Sequence, residues 1–404
     1  MRPHRPTTAL DTLHQPGFLL LWLSTGIYHS GHFLRGTIQS WLVLQLTNSS
    51  TWVGLVNGLP VVVTGPLSFF AGAITDRSDP RQMLLWTRGA TGFLCFLTGF
   101  LISAQIIDAV QLLALATTLN AAYYLAFPAN QVYIVGLVGP ERLLTANALV
   151  NGFGFGINFV APALAGYAAA RLGIDSVYFA LGLAYLVATV LILRTPPTPV
   201  EGSPTTGNMI RKVLIGIGFV RTQPGLAWVF YLALLSILGA PFSIILPAMT
   251  RDELGAGAAG FGLVVASQGV GSLAGTVALL AYGQLPRKGL AMLAGGVLWA
   301  TGMIIIGLSH ELWQAIAAGI LMGFSPPLWM NSVQTVIITA VPAPMRARMA
   351  ALFALSFQMV PAGYLLGGFL ADALGPAATL QLLGLASLLA HVPPLFSRQF
   401  REIG

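Results

Sequence analysis

One charged stretch, Gly72-Ala-Ile-Thr-Asp76-Arg77-Ser-Asp79-Pro-Arg81, interrupts two long apolar runs at residues 53–74 and 83–107. Each run is long enough to cross the ~30 Å hydrocarbon core of a bilayer, which takes about 20 helical residues. Charges this dense cannot lie in hydrocarbon, so the stretch must emerge at a membrane face as a tight turn between antiparallel helices. Arg77, Arg81 and Arg88 mark that face as cytoplasmic.

The rest of the chain repeats the pattern. Reading apolar runs against breakers gives twelve spans over 404 residues, near 17–46, 51–75, 82–106, 109–138, 142–172, 175–194, 224–250, 257–284, 288–308, 311–341, 345–373 and 376–396. Only 8% of residues are charged, against about 25% in soluble domains, which excludes a water-soluble fold. The only long polar stretch, 194–223, divides the chain into six-span halves at 1–194 and 224–404, with a cytoplasmic linker at 195–223. The expected fold is all-α and integral to the membrane, with two pseudo-symmetric six-helix bundles.

Orientation follows from the 19 lysines and arginines. With both termini inside, all but Arg171, Arg251 and Arg35 fall on the cytoplasmic side. The net charge of +7 therefore reflects topology; no basic patch interleaved with aromatics points to nucleic acid. The one cysteine, Cys95, lies inside an apolar run and forms no disulfide framework.

The first span carries the most unusual chemistry. At 100° per residue, Thr25, Tyr28, His29, His32, Arg35, Gly36 and Gln39 share one sector, while Leu20, Leu23, Ile27, Leu34 and Ile38 face the other way, toward lipid. A polar stripe at this depth must face protein or a water-filled cavity. Arg35 falls only ~5 Å from midspan. None of the 12 Asp and Glu residues is midspan, so no acid neutralises it from within the membrane. A cavity holding Arg35 and two histidines suits a neutral or anionic substrate, and histidine, with an ordinary pKa near 6.5, could carry a proton.

The spacing Gly-x-x-x-Asp-Arg-x-x-x-Arg resembles the motif between the second and third helices of the major facilitator superfamily. Trp41-Leu-Val-Leu-Gln-Leu-Thr47, Phe127-Pro-Ala-Asn-Gln131, residues 141–149 and Leu246-Pro-Ala-Met-Thr-Arg251 are similar to its drug-efflux and siderophore-export branch, which includes the enterobactin exporter and macrolide efflux proteins. Ala161-Pro162-Ala-Leu-Ala-Gly166 resembles the antiporter motif of the fifth helix, with two glycines replaced by alanine.

The resemblance implies a gating motif of Gly72, Asp76, Arg77 and Arg81, with Asp76 latched to the positive start of the eleventh helix beside Arg346. It also implies a cavity lined by helices one, four, seven and ten. Tyr124, Asn130, Gln131, Trp329 and Gln334 thereby join His29, His32, Arg35 and Gln39 as candidates for substrate or proton handling. Small residues such as Gly271, Gly275, Gly363 and Gly367 are expected at helix contacts, where the resemblance implies that the fifth and eighth and the second and eleventh helices slide.

The expectation is a monomeric secondary transporter of the cell (inner) membrane, needing no cofactor or metal. It would exchange protons for a small amphipathic compound outward; uptake of a small organic anion is the alternative. An intramembrane enzyme built on Gly323-Phe-Ser325 and His391 is the rival class, but no midspan carboxylate could orient its base.

Overall fold

The computed structural model describes residues 9–67, 71, 74–75, 78–197, 215, 217–283 and 287–403. The described residues are helical, with no strand among them. The helices are α1 (Phe18–Thr47), α2 (Ser50–Thr64), α3 (Pro80–Ser103), α4 (Ala109–Val138), α5 (Leu143–Leu172), α6 (Ile174–Leu193), α7 (Pro224–Glu253), α8 (Gly257–Tyr282), α9 (Lys288–Leu308), α10 (Leu312–Gly323 and Ser325–Thr339), α11 (Ala343–Ser356 and Val360–Leu374) and α12 (Pro376–Ala390).

Seven of them, α3, α4, α6, α7, α8, α9 and α12 (extended to Phe396), are long and apolar enough to cross a membrane on those grounds alone. On α3 the side chains of Trp86, Phe93 and Phe100 are 78%, 65% and 59% exposed. They recur every seven residues, so one helix face presents a continuous aromatic stripe that only lipid would accept.

Local signals set the helix starts. Asp79 caps α3 by accepting from the Arg81 amide at 2.9 Å, and Pro80 takes the first helical position, where no amide is needed. Asp108 and Gln111 form a reciprocal capping box on α4. The expected boundaries differ by a few residues where such caps decide. The larger departure lies in α7, α10 and α11, each read as continuous but broken at Leu235–Pro241, Phe324 and Phe357–Met359 respectively. Proline follows or ends each break (Pro241, Pro326 and Pro361), removing an amide donor and crowding the preceding turn.

The chain divides into two compact units, 1–42 with 60–205 and 43–59 with 206–404. In the first, α3 packs along α6; in the second, α9 packs along α12, the same pair six helices on. Glycine permits both approaches. A Cβ at Gly92 would lie 3.2 Å from the Gly182 carbonyl, and one at Gly384 would lie 2.9 Å from that of Ala300.

Gly271 of α8 packs against the backbone of Ile320 and Gly323 in α10. The small-residue stripe there thus serves a contact inside the second unit. Gly363 and Gly367 of α11 likewise meet Ile237 and Pro241 of α7. Gly54 and Gly58 of α2 approach Tyr364 and Pro361 of α11, within the second unit.

Candidate functional site

In the first unit, α1, α3, α4 and α6 contribute polar groups to one buried centre. The α1 stripe is what its periodicity predicts: Thr25, Tyr28, Arg35 and Gln39 are all less than 5% exposed. Its lipid-facing side is narrower than expected, because Ile38 is fully buried.

Arg88 is the correction of most consequence. The charge tally assigns it to a cytoplasmic turn, yet it sits about two turns inside α3 and is 1% exposed. Its guanidinium donates to Ser24, to Thr25 Oγ1 at 3.1 Å and to Asn130 Oδ1 at 3.2 Å. Thr25 also donates to Asn130 Oδ1 at 2.8 Å, so one amide oxygen joins three helices. The ring of Tyr28 lies 5.6 Å below the cation, while its Nε is buried without a partner.

Around this core the aromatics are ordered. The Tyr123 ring stacks on His32 at 3.7 Å, and its hydroxyl lies 3.0 Å from His29 Nδ1. Tyr28 stacks on Tyr123 at 6.0 Å and meets Tyr185 edge-on at 5.5 Å. Arg35 donates to Gln39 Oε1 at 2.6 Å. The cavity between Tyr28, His29, Arg88, Tyr123, Phe127 and Asn130 is about 10 Å³, room for one water at most.

Two buried guanidiniums therefore share the first unit, and every acceptor bonded to them among the described residues is neutral. The ion pairs among the described residues, Arg251–Asp252 and Arg398–Glu402, involve neither. An uncompensated buried charge costs several kcal/mol, and neutral hydrogen bonds return only part of it. A guanidinium in such surroundings is stabilised most by a charge-assisted, forked contact.

The second unit holds a different chamber, about 340 Å³ in volume. Trp299, Trp329, Phe357 and Tyr364 supply its aromatic faces, and Ser236 and His391 its polar groups. It lies where α7, α10 and α11 break, so irregular backbone is gathered on a cavity instead of on lipid. His391 is buried, with Nδ1 donating to the Ser387 carbonyl at 2.7 Å. That bond leaves Nε2 as the acceptor of the neutral ring. Midspan prolines in three helices were the available signal for this chamber.

The remaining candidates scatter. Tyr124 meets Tyr123 edge-on at 6.2 Å, and Gln131 is partly exposed beyond the centre. Trp329 lines the chamber of the second unit, whereas Gln334 on the same helix is exposed. Gly72, Asp76 and Arg77 lie outside the described residues. Arg81 donates to the carbonyls of Ile192 and Leu193 at 3.3 and 2.7 Å, closing the C-terminal end of α6. Arg346 is exposed and donates to the Val341 carbonyl at 3.1 Å. Ala161, Pro162 and Gly166 lie in α5, which runs through Pro162 as one helix.

This succession of long apolar helices around a buried polar centre is that of a multi-pass membrane protein. Residues 7–401 match the family described as transmembrane secretion effector, and the chain belongs to that family of major facilitator transporters. A staphyloferrin A transporter of Staphylococcus aureus is 23% identical over 368 residues, covering 89% of this chain and 90% of the relative.

Among solved structures, a POT family transporter in complex with a thioalcohol-conjugated peptide aligns with a TM-score of 0.72 at 13% identity, over 96% of this chain and 98% of that one. The nucleoside transporter NupG aligns at 0.71 and 13%, over 93% and 97%. A bacterial homologue of the human lysosomal transporter Spinster, inward-facing and unoccupied, aligns at 0.68 and 14%, over 96% and 92%. The fold is that of the major facilitators, and the protein is a multi-pass membrane transporter, not an enzyme.

Proposed function

We propose that this transporter exports a small neutral or anionic amphipathic compound in exchange for protons. It would act as a monomer in the cell (inner) membrane with both termini cytoplasmic, its bundles being 1–194 and 224–404. The observation that carries the substrate class is the pair Arg35 and Arg88, buried in one unit with no carboxylate among the described residues bonded to either. An anionic group supplies the missing charge at the polar centre of the first unit. The description of the family as a secretion effector supports the outward direction, and the named relative supports a small organic cargo. His29 and His32, beside the cations, carry the proton in this reading.

The test is a thermal-shift screen of purified protein against anionic, neutral and cationic aromatic compounds, followed by transport of the hits in proteoliposomes under an imposed pH gradient. A ligand at 100 times its Kd stabilises by about 2.7 kcal/mol, well within reach of the method. Anionic or neutral hits whose affinity falls at least roughly tenfold in Arg35→Gln are expected, since a hydrogen bond to a charged group contributes about 1.5–3 kcal/mol. If cations alone bind, and Arg35→Gln binds them as wild type does, the reading is wrong.

A further inference from the structure

The turn between α1 and α2 is held at both helix ends by side chains of opposite charge from much later in the chain. All of the groups concerned belong to the second unit. α1 ends at Thr47, and Asn48 adopts φ 50°, the left-handed conformation that commonly closes a helix. The last turn of α1 leaves carbonyls facing outward, with the negative end of the helix dipole behind them. Arg251, at the end of α7, reaches these groups. Its guanidinium donates to the Leu44 carbonyl at 3.3 Å and to Asn48 Oδ1 at 2.6 Å, while also pairing with Asp252 at 2.6 Å.

Two residues on, α2 begins with the opposite requirement: free amides and a positive dipole end. Asp372, near the end of α11, meets it. Its carboxylate accepts from the Ser50 amide at 2.6 Å, the Thr51 amide at 3.0 Å and the Ser49 hydroxyl at 2.6 Å. Ser49 Oγ in turn accepts from the Trp52 amide at 3.3 Å, so the first three amides of α2 are all satisfied. The N-terminal cap of this helix is therefore supplied by a residue more than 300 positions away in sequence. Below it, Gly368 packs on Ser50 and Thr51, where any side chain would collide with backbone.

We propose that Asp372 and Arg251 are positioning residues of the transport cycle. Together they form a two-pronged clasp that holds the α1–α2 turn on α7 and α11, and it must open and re-form at each turnover. The chemistry favours a reversible fastening over a permanent one. Its contacts are hydrogen bonds at helix ends that water can replace, and the residues released, Ser49, Ser50, Thr51 and Asn48, are polar. α1 and α2 both continue into the first unit, at Leu42 and Pro60, so the turn joins both units through the chain itself. The proposal depends on neither the substrate nor the direction proposed above.

The clasp is tested by labelling from the face that bears this turn. In a Cys95→Ala background, Val53→Cys places a thiol at a fully buried position of α2, just below the clasp. Full-length protein in liposomes is treated with a membrane-impermeant maleimide. Asp372→Asn, which keeps the shape and removes the charge, is expected to speed labelling about threefold to tenfold. Asp372→Glu should restore the slow rate, and Arg251→Gln should raise it in the same direction. If Asp372→Asn fails to fold, Arg251→Gln decides the matter alone. Labelling at the wild-type rate in Arg251→Gln, or in a folded Asp372→Asn protein, overturns the proposal. So does faster labelling that Asp372→Glu fails to reverse.

Discussion

Arg88 and Asn130 meet across the first unit, guanidinium to amide oxygen, at 3.2 Å, and Thr25 donates to that same oxygen at 2.8 Å. The arrangement gives partners to both terminal nitrogens of Arg88 but none among the described residues to its Nε, and it leaves the charge uncompensated. It follows that Arg88 is retained at a cost to stability. Replacing a buried charged group with an apolar one of similar size is often neutral or stabilising. Arg88→Met is therefore expected to keep or raise the thermal midpoint while lowering transport of an anionic cargo at least roughly tenfold. Arg88→Lys should also transport poorly, because ammonium cannot reach Ser24, Thr25 and Asn130 as a planar fork does. Full transport by Arg88→Met would make Arg88 a structural residue.

His29 and His32 both contact Tyr123, one through its hydroxyl and one through its ring. If they carry the coupled proton, substituting both with Gln should uncouple transport without abolishing binding. The double variant is expected to lose uptake driven by a pH gradient into inverted vesicles and to retain substrate–substrate exchange. Equal loss of exchange and gradient-driven uptake would place the histidines in cargo binding instead.

A stability prediction concerns α8 and α10. A Cβ on Gly323 would overlap the Gln268 carbonyl and lie 2.8 Å from Gly271 Cα. Backbone cannot give way as a flexible side chain does, so Gly323→Ala should destabilise by about 1–3 kcal/mol. Gly36→Ala is the contrast: its Cβ would meet nothing within 4 Å, and loss of helix-interior glycine should stabilise by roughly 0.5–1 kcal/mol. Unfolding in detergent, with both variants side by side, measures the difference.

The resemblance to the major facilitators implies that Asp76 helps to gate the cytoplasmic face. Asp76→Asn should then raise cysteine accessibility from the cytoplasmic side and lower transport, with insertion unchanged. Wild-type accessibility with full transport would leave Asp76 an ordinary turn residue.

The stripe on α1 was legible because helical periodicity survives burial: residues three and four apart share a face whatever lies opposite. That Thr25 finds Asn130 and His32 finds Tyr123 was not legible, since one helix does not specify the rotation of the next. Arg88 was misplaced for a related reason. A charge tally gives every basic residue near the start of a span to the adjoining turn, and nothing local to Thr87-Arg88-Gly89 says that α3 is already deep in its neighbours there. The aromatic chamber left a trace in Pro241, Pro326 and Pro361, but its walls come from five helices whose approach is tertiary. The clasp left still less. Asp372 and Arg251 read as ordinary charges at the ends of spans until the helix ends they serve are seen beside them.

The charges of the clasp and of the polar centre differ in how an electric field acts on them. One elementary charge moved across 100 mV gains or loses about 2.3 kcal/mol. Asp372 opposes Arg251, which is also paired with Asp252, so the clasp carries a smaller net charge than two uncancelled cations and a membrane potential has less leverage on it. Arg35 and Arg88 do not cancel, and the empty first unit carries two positive charges at membrane depth. A bound dianion would neutralise them. The return of the empty carrier is then the electrically sensitive half of the cycle. Transient currents recorded on a solid-supported membrane should shrink when such a cargo saturates the protein.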